Sequence, residues 1–201
     1  MRLHTKFAVL SAVSLNILIA PQIAGAQDCP TAKSAASGYV VEREVNSKTD
    51  VLFSDNSTVR TILRYDGKVL LETTQFQGLF ELDRLDRGRR AVFRPKTELA
   101  ALFPLKQGKT ATVEFDVEGS GRPTTAAVQI AVKGTDVLYI GACKYSVLKI
   151  DRSESRGDGP LAFRNTDYYS PELKLVIAKE YRKGDGQTDM IKFDRIYPLK
   201  P

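Results

Sequence analysis

The dominant period along the chain is two. In "TVEFDVEG", residues 112–119, Val113, Phe115 and Val117 fall on one side, and Thr112, Glu114 and Asp116 on the other. In "AAVQIAV", residues 126–132, Val128, Ile130 and Val132 alternate with Ala127, Gln129 and Ala131. Such alternation gives a β-strand one apolar and one polar face. "STVRTILRYDGKVLLETTQF", residues 57–76, holds two strand-like runs around Asp66-Gly67, a pair that accepts the positive φ of a tight hairpin turn. Gly, Pro, Asp and Ser predict further turns at 119–123, 133–136, 157–160 and 184–186. "LAFRNTDYY" (161–169) and "DMIKFDRIYPL" (189–199) both read as strands.

Two segments test the pattern. "TELAALF", residues 97–103, is rich in Ala and Leu and lies between Pro95 and Pro104, which predicts a short helix able to plug the mouth of a curved sheet. "YYSPELKLVIAKEYRKG", residues 168–184, carries two signals at once. Ser170 can cap a helix with Pro171 in its first turn and Gly184 past its end, placing Leu173, Val176, Ile177 and Tyr181 on one face. Yet the adjacent β-branched Val176 and Ile177 favour a strand, and strands on both sides favour a meander, so strand–turn–strand is preferred. The expected fold is therefore mainly all-β: a strongly curved antiparallel sheet, a half-barrel or nearly closed barrel, with one short helix near 97–103.

The first 26 residues read as a cleaved signal peptide. Arg2 and Lys6 precede an apolar stretch from Phe7 to Ala20, and Ala24-Gly25-Ala26 supplies the small residues of a cleavage site. The apolar stretch is too short and interrupted for a good span, so no stable membrane span is expected after cleavage. Residues 27–201 then form a single β-rich periplasmic domain. Losing Arg2 and Lys6 lowers the net charge from +6 to +4, which with export argues against nucleic acid as a partner.

The single histidine, His4, leaves with the signal. That removes Ser-His-Asp and Cys-His catalysis and any imidazole-dependent zinc site, so no metal and no cofactor are expected. Cys29 and Cys143 remain, and an even pair in an exported chain reads as a disulfide.

"LFPLKQGKT" (102–110), "GACKYSVLKIDRSES" (141–155) and "DYYSPELKLVIAKEY" (167–181) occur in that order. Together they resemble segments of exported proteobacterial proteins related to the DUF3108 group, themselves similar to the half-barrel lipoprotein carriers LolA and LolB. The resemblance covers roughly the C-terminal half, and its motifs describe turns and strands. It implies an exported curved sheet and carries over no catalytic residue. Cys143, inside the Gly-Ala segment, departs from the pattern.

The sharpest local feature is "RLDRGRRAVFRP", in which Arg84, Arg87, Arg89, Arg90 and Arg94 crowd together. Arg forks bind phosphate and carboxylate, so the cluster is a candidate site for an anionic lipid head or other anionic envelope component. The preferred reading is a solvated hairpin tip around Gly88, partly neutralised by Asp83 and Asp86. Tyr168 and Tyr169 are a second candidate, with one ring expected in the core and the other outside, where a plain cross-strand packing role is preferred over stacking on a ligand. The carboxylates are plentiful, but no spacing singles out a catalytic pair. Three functions stay open: a non-enzymatic carrier of an apolar or anionic amphipathic component, an interaction factor with a periplasmic protein partner and no small ligand, and a carboxylate-based hydrolase. The oligomeric state is not indicated.

Overall fold

The computed structural model describes residues 28–35, 37–119, 124–157, 163–182 and 186–199. The expected signal peptide lies outside them. A short helix, α1 (Ala32–Ala35), precedes β1 (Tyr39–Glu44), β2 (Ser47–Phe53), β3 (Thr58–Tyr65), β4 (Lys68–Phe76), β5 (Phe80–Asp86) and β6 (Arg89–Pro95). A 3-10 turn (Leu99–Leu102) leads into β7 (Thr110–Gly119), β8 (Thr124–Ile140) and β9 (Cys143–Arg156). Then come β10 (Phe163–Ser170), β11 (Leu175–Arg182), β12 (Thr188–Lys192) and β13 (Arg195–Pro198). All thirteen strands belong to one antiparallel sheet, in the order β12-β11-β10-β9-β8-β7-β6-β5-β4-β3-β2-β1-β13.

The sheet is a meander because each tight turn has residues that allow it. Asp66 and Gly67 both take positive φ (48° and 75°), and so do Arg87 and Gly88 (49° and 83°), the twist that a two-residue hairpin demands. Register shifts interrupt the ladders at Glu42/Glu44, Leu63/Arg64, Thr74/Gln75, Val132/Gly134 and Tyr168/Tyr169. Each shift bends its strand and adds twist, which curls the sheet.

The disputed segment is strand–turn–strand: β10 ends at Ser170, residues 171–174 turn, and β11 starts at Leu175. Ser170 does use its capping oxygen, which accepts the N–H of Leu173 at 3.3 Å, but the cap closes a turn and no helix follows. The helix expected near 97–103 is the 3-10 turn, and its Leu99 is buried.

Two readings are corrected. No turn occurs at 133–136. β8 runs straight through, and Gly134 takes up a register shift instead. "DMIKFDRIYPL" is two strands: β12 pairs with β11, and β13 pairs with β1 at the opposite end of the sheet. Phe193 and Asp194 bridge them, with Phe193 N donating to Ile177 O and Asp194 N to Glu42 O. The ladder is not closed, but one stretch of chain spans its two ends. Glu42 fastens that seam: it is 3% exposed and accepts Lys48 Nζ at 2.9 Å, Arg195 Nη2 at 2.9 Å and Tyr197 OH at 2.7 Å.

Apolar burial falls into two clusters. One gathers Tyr39, Val41, Val51, Val59, Tyr145, Val147, Leu173 and Ile177. The other gathers Leu79, Phe80, Leu99, Phe115, Val128, Ile130, Leu148 and Ile150. β9 serves both, giving Cys143, Tyr145 and Val147 to the first and Leu148 and Ile150 to the second. Opposite faces of one strand are thus buried in its two halves.

Cys29 and Cys143 are joined with S–S 2.06 Å. β9 is an inner strand, so the tethered N-terminal segment lies across the sheet rather than along an edge. There Tyr145 OH donates to Pro30 O (3.0 Å), and Ala32 N donates to Glu172 Oε1 (3.1 Å).

Candidate functional site: a hollow inside the curved sheet

The curl encloses a cavity of about 420 Å³, lined from β1 round to β11 and by Phe193. Alternation dictates which side chains reach it. Ser47 and Thr49 come from β2, Thr61 and Leu63 from β3, Leu71, Thr73 and Gln75 from β4, and Arg152, Glu154 and Arg156 from β9. Leu63, Leu71, Leu79, Phe93, Phe115, Val128 and Val176 give it apolar walls.

Five cationic side chains, Arg43, Arg84, Arg152, Arg156 and Lys179, line it against three carboxylates, Glu81, Glu154 and Asp167. Arg152 is the centre of the network. Its Nε and Nη2 donate to Glu154 Oε1 at 2.8 and 2.7 Å, and its Nη1 to Leu79 O at 2.9 Å. Asp167 is fully buried; Lys179 Nζ donates to its Oδ1 at 2.9 Å, as does Asn165 Nδ2. Its Oδ2, 3.9 Å from Arg152 Nε, has no hydrogen-bond donor among the described residues, nor has Asn165 Oδ1. Burial pushes the Glu81 carboxyl above its ordinary range, Arg84 opposes that, and the charge of Glu154 adds to it.

One end of the hollow is sealed. Gly78, with φ +65°, lies so close to the β10–β11 turn that a Cβ there would stand 1.6 Å from Lys174 O. Tyr169 OH donates to Gln77 O at 2.7 Å, and Lys174 Nζ to Asn56 O at 2.5 Å. The turns after β2, β4 and β10 therefore meet. The lining also includes Arg43 and Arg156, both exposed, beside the turns at the opposite end.

The arginine cluster is not brought together. Only Arg84 turns into the hollow, 3.7 Å from Glu81 and 3.5 Å from Asp86. On the outside Arg90 donates to both oxygens of Asp83, and Arg94 donates to both oxygens of Glu118. Arg87 and Arg89 flank Gly88 at the exposed tip of the β5–β6 hairpin.

The tyrosine expectation is corrected as well: Tyr168 and Tyr169 are both buried, at 4% and 2% exposure. Tyr169 packs in the second cluster and Tyr168 in the first, because this part of the sheet is covered on both faces. Tyr168 OH donates to Glu180 Oε2 at 3.2 Å, and Lys149 lies over its ring, so no free aromatic face is left.

Arg43, Arg152, Arg156 and Lys179 were not anticipated from the sequence. Their only local signal is a charged residue at a core-facing position of an alternating strand, as in Arg152, two residues from Ile150.

A larger depression of about 750 Å³ lies over β7 to β11, among Thr110, Thr112, Gln129, Ser153, Arg164 and Thr166. It contains no aromatic side chain. No His, Cys, Asp and Glu group suited to a metal ion occurs among the described residues, and no helix among them is long and apolar enough to cross a membrane.

No protein-family model matches the chain, and neither does any curated protein. Among solved structures it is similar to a hypothetical lipoprotein, YmcC, from Escherichia coli. The identity is 10%, the match covers 79% of this chain and 81% of that one, and the TM-score is 0.46.

Proposed function

We propose that the chain is an exported, non-enzymatic envelope protein whose hollow takes an anionic amphipathic molecule. The observation that carries this is the lining: apolar walls with five cationic side chains against three carboxylates. A cavity of about 420 Å³ lies within the size range of small-ligand sites. Cations inside a partly desolvated hollow favour an anionic head, and apolar walls favour its tail. The signal-like N-terminus, the periplasmic location and the resemblance to the DUF3108 group and to LolA and LolB belong to the same proposal.

Titration with a fluorescent anionic fatty-acid analogue, against its neutral ester, tests this reading. The acid should bind and the ester should bind more weakly. Arg84→Gln with Arg156→Gln should weaken the acid roughly tenfold, as expected for losing charged hydrogen bonds. Absence of binding, or equal binding of acid and ester, would contradict it.

One observation favours a carboxylate-based hydrolase as a second reading: Glu81, held toward its protonated form by burial, shares the hollow with Glu154, the carboxylate that Arg152 grips through Nε and Nη2. Turnover of glycoside or ester substrates that is lost in Glu81→Gln would establish it.

A further inference from the structure

Three hairpin tips stand side by side at the end of the sheet opposite the seal. Asp66 N, in the β3–β4 turn, donates to Asn46 O of the β1–β2 turn at 3.1 Å. Arg87 N, in the β5–β6 turn, donates to Leu70 O of β4 at 3.0 Å. On these tips and their flanks Val45, Tyr65, Val69 and Leu85 are 83%, 44%, 43% and 38% exposed. They are half of the large apolar side chains exposed among the described residues. Single exposed apolar side chains are ordinary, but a group gathered on one rim marks a contact surface.

Their register shows what kind of contact. Tyr65 stands opposite Ser47, a residue of the hollow's lining, so it lies on the inner side of the rim. Leu85 stands opposite Arg90, whose guanidinium pairs on the outside with Asp83. Apolar groups on both sides of a rim suit entry end-on into a soft phase better than a flat contact with a protein. The charge is also one-sided. Glu44 is met by Arg43 and Asp86 by Arg84, which leaves Asp66 against Lys68, Arg87 and Arg89, all exposed and in no ion pair among the described residues.

We propose that this rim docks end-on into an anionic lipid bilayer, the hairpin tips entering the headgroup layer and the sealed end of the hollow pointing away from it. Its purpose rests on the carrier reading of the hollow, though the contact itself does not. Val45, Tyr65, Val69 and Leu85 supply the salt-resistant part of the attraction, and Lys68, Arg87 and Arg89 the screened part.

Flotation of the protein, recovered after export and with its N-terminus sequenced, tests the docking. The probes are vesicles of phosphatidylcholine with phosphatidylglycerol, and vesicles of phosphatidylcholine alone. Wild type should float with the anionic vesicles and less with the neutral ones. Arg87→Ser with Arg89→Ser should weaken anionic binding about fivefold for each arginine and leave neutral binding unchanged. Val45→Ser with Leu85→Ser should remove the part that survives high salt. Leu63→Trp, which fills the hollow, should float as wild type does while losing the fatty-acid probe, so the docking and the carrier reading can fail separately. Wild type that does not float, a dimer through the tips in place of flotation, or loss of flotation in Leu63→Trp would overturn the proposal.

Discussion

The two ends of the hollow are both built from hairpin turns, two residues long at one end and three or four at the other, and end up opposite in character. At the sealed end the turns after β2, β4 and β10 touch through backbone and side chain, Gly78 admits the close approach, and Leu173 is fully buried beneath Tyr39, whose hydroxyl donates to Leu173 O at 2.7 Å. The disulfide pins the N-terminal segment nearby through Cys143 and Pro30. At the other end the turns after β1, β3 and β5 are short, those after β3 and β5 left-handed, joined by backbone hydrogen bonds, and they expose Val45, Tyr65 and Val69. Turn chemistry alone does not decide whether a sheet end closes; what packs behind the turn does. One end therefore carries most of the stability that can be lost by substitution, and the other is free to carry function.

The contrast can be broken at the sealed end first. The disulfide closes a loop of 114 residues, which on the chain-entropy account stabilises by up to about 5 kcal/mol. Cys29→Ser should therefore lower the melting temperature strongly in calorimetry, and an unchanged melt would remove the tether from the account. Gly78→Ala should cost about 3–5 kcal/mol, from a left-handed φ and a backbone clash together, in denaturant titration. The matching change at the opposite end, Gly88→Ala, meets no atom within 4 Å and should cost only about 1–2 kcal/mol.

The seam between the sheet ends responds to acid. Burial by itself raises the Glu42 carboxyl, but hydrogen bonds from Lys48 and Tyr197 and the charges of Lys48 and Arg195 outweigh it, so its titration lies below the ordinary range. Its stabilisation is full above the ordinary carboxylate range and is lost as pH falls through the folded-state value. Glu42→Gln should cost about 1–3 kcal/mol at neutral pH and flatten the acid limb of a melting-temperature profile. In the hollow the sign reverses. Glu81 titrates above its ordinary range, so its charge is unfavourable at neutral pH, and the penalty disappears as pH falls below that range. Glu81→Gln should raise the melting temperature slightly at neutral pH, with the gain vanishing in acid. The smallest effect belongs to the rim, where Arg87→Ser with Arg89→Ser should change stability by less than about 0.5 kcal/mol.

Much of the fold was legible because alternation and turn residues act locally. Val113, Phe115, Val128 and Ile130 point inward as their spacing says, and Asp66-Gly67 makes its hairpin. Legibility failed where a decision was made far away in the chain. Nothing local in "DMIKFDRIYPL" says that its halves pair with opposite ends of the sheet, since β1 is about 150 residues upstream. Tyr168 and Tyr169 alternate properly, but both are buried because each face of the strand there packs in its own apolar cluster. The arginine cluster was conspicuous by crowding along the chain, yet only Arg84 joins the cations of the hollow. Those cations come from four different strands, β1, β5, β9 and β11, and share a site only through curvature.

What decides the function is whether the hollow holds an amphipath. The most direct test is native mass spectrometry of the protein recovered after export from its own host, followed by organic extraction of the same sample. The predicted result is a mass excess that extraction removes, identified as a molecule with an anionic head and an apolar tail, and diminished in Arg84→Gln with Arg156→Gln. Bare polypeptide mass with nothing extractable, or a neutral or wholly polar adduct indifferent to those substitutions, would contradict it.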